Sequence, residues 1–582
     1  MKSISLTAAI LAAVLACPLF FTGSARGADR EVLLEIEIRG IQALTNAIAQ
    51  MAAALDAQAQ APMATEALQG KISPMGMAGL DKTGTLRVMF FVPDQDPMQS
   101  LPDYVIMLPA QDDGSTLIKQ FGQPLAPLDD AVGEYASPGA TGQVASSIFA
   151  ATVKRYVVLS ENRDLVDMIR TRIRSGALVP ADKIPVRGTV ALNPNMAAIA
   201  RLFSEKMNDN ADAMKDLPQA QTGGMNSAAI LKAEADALQD ILVQFRSCSL
   251  GFAGNRKNFS IYTRAEGKQD TWMARSFAAA RKPDPIYYKL LPEKCFWTQA
   301  GHWSEFDNFM DGYNAFLSRM YRSMGPQWSG VEQIVSDATK KLKGVFPGDY
   351  AYGMLVGSDG APFGAVMYAA VTDPARMQKV IDESIDAFQE KQSDQETEGM
   401  KVSIKRGARR AYKETPIQAY RHSFVMPPQA NMMTPGMSAW TNMTYEIAYL
   451  DKMYVVSMGS SAEMDRALDR IKNPGETLYD QPAFKQLFPK LSGDPVRVST
   501  FSVLGYIRML MTMMMGAAPP MPQASGNGLC SYTIVRDGVH YSATRISFDE
   551  LKTVKMMAPM LMMGTGAMQP PGAPAPPAGP AP

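Results

Sequence analysis

Apolar and polar positions alternate from Val32 to Ile38, which predicts a short strand, and from Gly40 the residues Leu44, Ile48, Met51 and Leu55 recur at helical spacing. The same order returns after residue 295. Phe296 to Gly301 reads as a strand, and Phe306, Met310, Tyr313 and Leu317 take the same helical steps, each shifted from its counterpart by one constant interval. A register shared over three turns is more than a shared bias in composition.

Further blocks repeat in the same order. Leu86 to Val92 and Tyr104 to Leu108 lead into a helix through Leu117, Ile118 and Phe121; Tyr352 to Val356 and Ala365 to Ala370 lead into one through Met377, Val380 and Ile381. Asp112-Asp113-Gly114 and Thr372-Asp373-Pro374 stand at the two helix starts, where their side chains can accept hydrogen bonds from first-turn amides. Tyr156-Val157-Val158 and Tyr454-Val455-Val456 each enter a strand followed by a helix. Gly188 to Leu192 and Val496 to Phe501 form a later strand in each copy. Hairpins close both copies, Phe245 to Arg264 and Cys530 to Ile546, with Cys248 and Cys530 in similar places.

The pattern predicts an α+β fold of two similar tandem domains, 28–292 and 293–563, each a mostly antiparallel sheet with helices packed on one side. The terminal strands are expected to pair across the copies. Segments 58–79, 208–229 and 426–443 are not shared and read as loops or insertions. The stretch 564–582 is Pro, Gly and Ala without charge and is expected to be a disordered tail.

The first 27 residues have the form of a signal peptide. Lys2 precedes an apolar run from Ile4 to Phe21, and Thr22 to Ala28 supplies small residues, placing cleavage after Gly27 and the mature chain in the periplasm or cell envelope. A lipid anchor at Cys17 is the alternative, but Leu15 and the continuing apolar run Pro18 to Phe21 depart from such a cleavage box. No later stretch has the roughly 18 apolar residues a membrane helix needs, so no transmembrane span is expected after signal removal; peripheral membrane contact stays open.

With 582 residues, 46% of them hydrophobic, the chain exceeds one domain. Its 57 Lys and Arg equal its 57 Asp and Glu, which removes the basic excess that nucleic-acid partners usually require. Cys248, Cys295 and Cys530 are too few and too scattered for a disulfide scaffold.

Catalytic motifs are missing. His302, His422 and His540 lie outside helical reach of one another, and no nucleophile elbow, phosphate loop or Cys-x-x-Cys pair occurs. No cofactor is expected. Arg406, Arg409 and Arg410 belong to a basic stretch, Lys401 to Lys413, that suits an acidic partner or anionic headgroups.

Methionine is the compositional anomaly, 41 in all. Met511, Met513, Met514 and Met515 make a nearly continuous apolar surface suited to a protein partner. Met556, Met557, Met560, Met562 and Met563 are the candidate soft ligands for Cu(I). Together these features point to an exported, non-catalytic protein that binds another envelope protein or a surface polymer through unshared loops and Met-rich helices. The alternatives are a hydrolase whose site assembles only in three dimensions and a Met-based Cu(I)-binding protein.

Overall fold

The computed structural model describes residues 30–54, 78–92, 98–121, 147–177, 186–214, 227–292, 295–324, 329–356, 363–392, 401–425, 442–491, 493–515 and 528–566, with the short pieces 22–23, 126–127 and 132–136. Helix and strand are mixed around one large antiparallel sheet of twenty strands. The predicted signal peptide, the unshared segments 58–79 and 426–443 and the predicted tail 564–582 lie largely or wholly outside the described residues; residues 564–566 end a helix, which corrects the start expected for the tail.

The N-terminal half supplies β1 (Val32–Arg39), β2 (Thr85–Phe91), β3 (Tyr104–Pro109), β4 (Ala126–Pro127), β5 (Val132–Ala136), β6 (Ser147–Val153), β7 (Tyr156–Ser160), β8 (Val190–Pro194), β9 (Phe245–Gly254) and β10 (Asn258–Gly267). The C-terminal half supplies β11 (Cys295–His302), β12 (Asp349–Val356), β13 (Phe363–Ala370), β14 (Lys401–Tyr412), β15 (Thr415–Val425), β16 (Asn442–Tyr449), β17 (Met453–Met458), β18 (Arg497–Phe501), β19 (Leu529–Arg536) and β20 (Val539–Ser547). Across the sheet the first ten run β4-β5-β6-β7-β3-β2-β1-β8-β9-β10. The second ten run β14-β15-β16-β17-β13-β12-β11-β18-β19-β20, the same order strand for strand. The two runs meet where β10 pairs antiparallel with β20, Tyr262 opposite Ala543, so the sheet passes without a break from one half to the other.

Helices cover both faces of the sheet, which corrects the expectation of helices on one side only. Successive strand residues point to opposite faces, and here both sets are apolar. In the N-terminal half, helix α1 (Ile41–Ala54) buries Leu44, Ile48 and Met51 against Ile36, Ile38 and Leu86. Helix α2 (Arg163–Ser175) buries Leu165, Val166 and Ile169 against Met89, Val105 and Met107, which point the other way. Asn162 caps α2 by accepting from the Asp164 amide, and Gly176 ends it in the left-handed region at φ 74°.

Helix α3 (Met196–Met214) packs with α4 (Ser227–Leu242). The C-terminal half adds α5 (Phe306–Met324), α6 (Ser329–Leu342), α7 (Pro374–Gln392), α8 (Ser461–Lys472), α9 (Val503–Met515) and α10 (Phe548–Gly566). Here too the two faces are covered from both sides: α8 packs Met464 and Leu468 on the face of Ala300, Ala351 and Tyr368, whereas α7 packs Met377 against Ala369 and Tyr454.

Register also separates two cysteines that similar sequence surroundings bring together. Cys248 pairs with Ala265 and is half-buried, while Cys530 pairs with Arg545 and is fully buried. Ser249, opposite Arg264, holds the position that answers Cys530. A slip of one residue turns a side chain to the opposite face.

Candidate functional site: an aromatic cavity on the C-terminal half

Two rows of cross-strand neighbours define the face under α1. One row reads Val190, Ile38 and Leu86, continuing through Leu108 to Val157; the next reads Leu192, Ile36, Val88, Ile106 and Leu159. Every member is aliphatic, and α1 closes over them. Gly40, at φ +81°, allows the chain to pass from β1 into α1 through a single residue, which holds the helix close to the strands.

The matching rows on the C-terminal half read Arg497, Gly301, Tyr350, Ala369, Tyr454 and Ser499, Gln299, Tyr352, Met367, Val456. Aliphatic residues have given way to aromatic and polar ones. Three residues, Trp303 to Glu305, separate β11 from α5, and the Trp303 ring sits beneath the helix, 5.6 Å from Phe306, 4.4 Å from Phe309 and 6.4 Å from Tyr350. Helix α5 accordingly packs against α4 and α6 more than against the strands. Its Tyr313 is 44% exposed, whereas Met51, at the matching helical step of α1, is 8% exposed.

The space left beneath α5 is a cavity of about 460 Å³. That volume falls within the range of pockets that hold small organic molecules. Trp297, Trp303, Phe306, Phe346, Tyr350, Tyr352 and Tyr454 form its aromatic wall, with Met367 and Ala369 at its floor. Edge contacts stiffen it: Trp297 to Tyr352 at 5.6 Å, Phe306 to Phe346 at 5.2 Å and Phe346 to Tyr454 at 5.7 Å.

Three polar side chains reach this lining, Gln299, Asp349 and Arg497. Asp349 accepts from His302 Nδ1 at 2.6 Å and from the Asp284 amide at 3.1 Å, and it pairs with Arg281 at 3.2 Å. Burial pushes its carboxyl up, but the His302 hydrogen bond, the Asp284 amide and the Arg281 charge together hold it below the usual carboxylate range. Arg497 differs, because its Nε is buried without a hydrogen-bond partner. His540, on β20, is pushed down to about 4 by burial and then by the Arg497 charge, and it stacks on Phe277 at 5.2 Å.

The residues singled out from sequence do not converge here. Arg406 pairs with Asp382 and Asp386, Arg409 donates to Gln418, and Arg410 is held between Glu446 at 2.7 Å and Asp465 at 2.6 Å. The basic stretch is therefore largely engaged within the chain. Met511 is half-buried on α9, and the side chains of Met513, Met514 and Met515 lie outside the described residues. Met556 is 70% exposed while its neighbour Met557 is 5% exposed, so the first faces solvent and the second is turned into the protein. The side chains of Met560, Met562 and Met563 lie outside the described residues. Among the described residues no group of three or more His, Cys, Asp or Glu could hold a metal ion, and no hydrogen bond joins a serine hydroxyl to a histidine ring.

The cavity was missed in the sequence because its walls come from five separate strands, one helix and the loops that hold Trp303, Phe346 and Gly348. A partial signal was present: Val496 to Phe501 and Gly188 to Leu192 are the same strand of each copy, but the ranges differ in length by one residue, and only the strand pairing sets Arg497 at the position of Val190.

Comparison with known proteins adds little. No family model matches the chain, and no curated protein matches it. A solved structure, crystal form IV of TP0453, aligns over 48% of this chain and 98% of that chain at 10% identity, with a TM-score of 0.21. A likeness this slight carries no argument. No helix among the described residues is long and apolar enough to cross a membrane.

Proposed function

We propose that the protein is a non-catalytic binding protein, exported to the periplasm or cell envelope and built as two similar tandem domains, 28–292 and 293–563, the second of which holds an apolar small molecule. The observation that carries this reading is the aromatic cavity beneath α5, on the face where the N-terminal half is filled by α1. Its aromatic lining supplies apolar contact area, and the few polar groups supply orientation. The His302–Asp349 pair has no nucleophile beside it among the described hydrogen bonds, which favours binding over hydrolysis.

The test is titration of the mature protein with dodecanol, followed by tryptophan fluorescence, since Trp297 and Trp303 line the cavity. Saturable binding is expected in the wild type. Ala369→Leu introduces the side chain that Leu108 carries in the N-terminal half, and it should weaken binding at least tenfold with little change in stability. Absence of saturable binding would refute the reading. Export is tested by sequencing the mature N-terminus, which should begin at Ala28; a chain retained in the cytoplasm with Met1 intact would overturn it.

A second reading keeps a macromolecular partner at the Met-rich helices. It is favoured by Tyr506 and Leu510 of α9, 41% and 37% exposed, and by Met556 of α10. Affinity capture should then recover a stoichiometric envelope partner that is lost in a folded Tyr506→Ser, Leu510→Ser double variant; recovery unaffected by the change would sink it.

A further inference from the structure

Arg497 stands, ladder for ladder, where Val190 stands in the N-terminal half: Val190 lies between Ile38 and Phe252, Arg497 between Gly301 and Thr533. Val190 is 7% exposed and belongs to the aliphatic core. Arg497 is half-buried, so its guanidinium is partly withdrawn from water, which is costly unless it is paired. Neither a hydrogen bond nor an ion pair engages its side chain among the described residues, and its Nε is buried without a partner.

The neighbouring polar groups do not supply the missing charge. Asp349 is already matched by Arg281 and His302. Gln299 is neutral. His540, pushed down to about 4, adds no charge at neutral pH. The cavity wall thus carries one unmatched positive charge among aromatic rings. A guanidinium offers parallel donors that fit the two oxygens of a carboxylate, and such a pair strengthens where water is excluded.

We infer that the ligand of this cavity is an apolar molecule bearing a single carboxylate, which Arg497 receives while the apolar body lies among Trp297, Phe346, Tyr352 and Tyr454. This inference rests on the binding function proposed above, and the experiment separates the two. Three probes share one chain and differ only in the head: dodecanoate, dodecanol and dodecylammonium. Each is titrated by tryptophan fluorescence into the mature wild-type protein and into Arg497→Val, which restores the residue of the matching position. Arg497→Gln, which retains polarity, serves as a second variant, with thermal melts confirming that each is folded.

Dodecanoate should bind the wild type at least tenfold more tightly than dodecanol, with dodecylammonium weakest. In Arg497→Val the dodecanoate affinity should fall to that of dodecanol, which itself stays the same or improves. Equal affinities in the wild type, tightest binding of dodecylammonium, or a dodecanoate preference that survives both substitutions would overturn the carboxylate inference and leave the binding cavity standing. If none of the three probes binds saturably, the cavity reading fails and the inference with it.

Discussion

The face beneath α1 and the face beneath α5 share one strand order and one register, yet one is a solid core and the other borders a cavity of about 460 Å³. On the first, Val190, Ile38, Leu86 and Val157 meet Leu44 and Ile48 of the helix. On the second, Arg497, Gly301, Tyr350 and Tyr454 hold the same ladder positions, and the helix rests on Trp303 and on other helices. Main-chain hydrogen bonds form the ladder whatever side chains it carries. A sheet can therefore keep its topology while one face exchanges packing for a site, provided the other face still anchors it. Here the anchoring face is the one covered by α2 in the first half and α8 in the second.

Exchanging the residues that distinguish the two faces should have the largest effect. Val190→Arg should destabilise the protein by about 3–5 kcal/mol, since it buries an unpaired charge in an aliphatic core. Arg497→Val should cost less than about 1 kcal/mol or stabilise, since it removes a half-buried charge that has no partner among the described residues. Urea melts giving similar losses for the two variants would mean that the faces are packed alike.

A smaller effect is expected from the helices. Ile48, 1% exposed on α1, should cost about 2–4 kcal/mol on truncation to Ala, while Met310→Ala on α5 should cost about 1 kcal/mol or less. If both truncations cost the same, α5 is as firmly seated as α1.

The smallest effects concern pH, where the halves should respond in opposite directions. Glu37 is fully buried on the α2 side of β1, 3.3 Å from Arg87 and 4.0 Å from Arg39. Burial, only partly offset by Arg87, raises its carboxyl from 4.5 to about 7. A folded-state value above the unfolded one means stability that is present at pH 4.5 and lost as pH rises through about 7. His540 is lowered from 6.5 to about 4, so its contribution is present above pH 6.5 and lost as pH falls through 4. Glu37→Gln should flatten the first dependence and His540→Phe the second, each by on the order of 1 kcal/mol. His540→Phe installs the residue that Phe259 provides on β10. Melting curves against pH in which neither variant departs from the wild type would remove both assignments.

Much of the element order was legible in the residues. The strand at Val32 to Ile38 and the helix through Leu44, Ile48 and Met51 stand where the periodicity places them, and so do Phe296 to Gly301 and the helix from Phe306. The Tyr-Val-Val entries fall in β7 and β17. The pairing of the terminal strands is found at β10 and β20. Helices on both faces were not legible, because strands such as Leu33-Leu34 and Met89-Phe90 are apolar at consecutive positions and do not say which side is covered. Arg410 reads in the sequence as a free surface charge, yet its partners Glu446 and Asp465 are 36 and 55 positions away.

Residue patterning accounts for what is local: strands and helices in a repeating order, set by periods of two and 3.6 that act over a few neighbours. Tertiary structure alone decided the rest. It fixed the register that opposes Arg497 to Gly301, brought Trp303 under α5 and gathered Tyr350, Tyr352 and Tyr454 around one space. The reason is physical. Whether a strand residue becomes core, wall or charge site depends on the neighbour across the ladder and the helix above it, and those partners are tens to hundreds of residues distant in the chain.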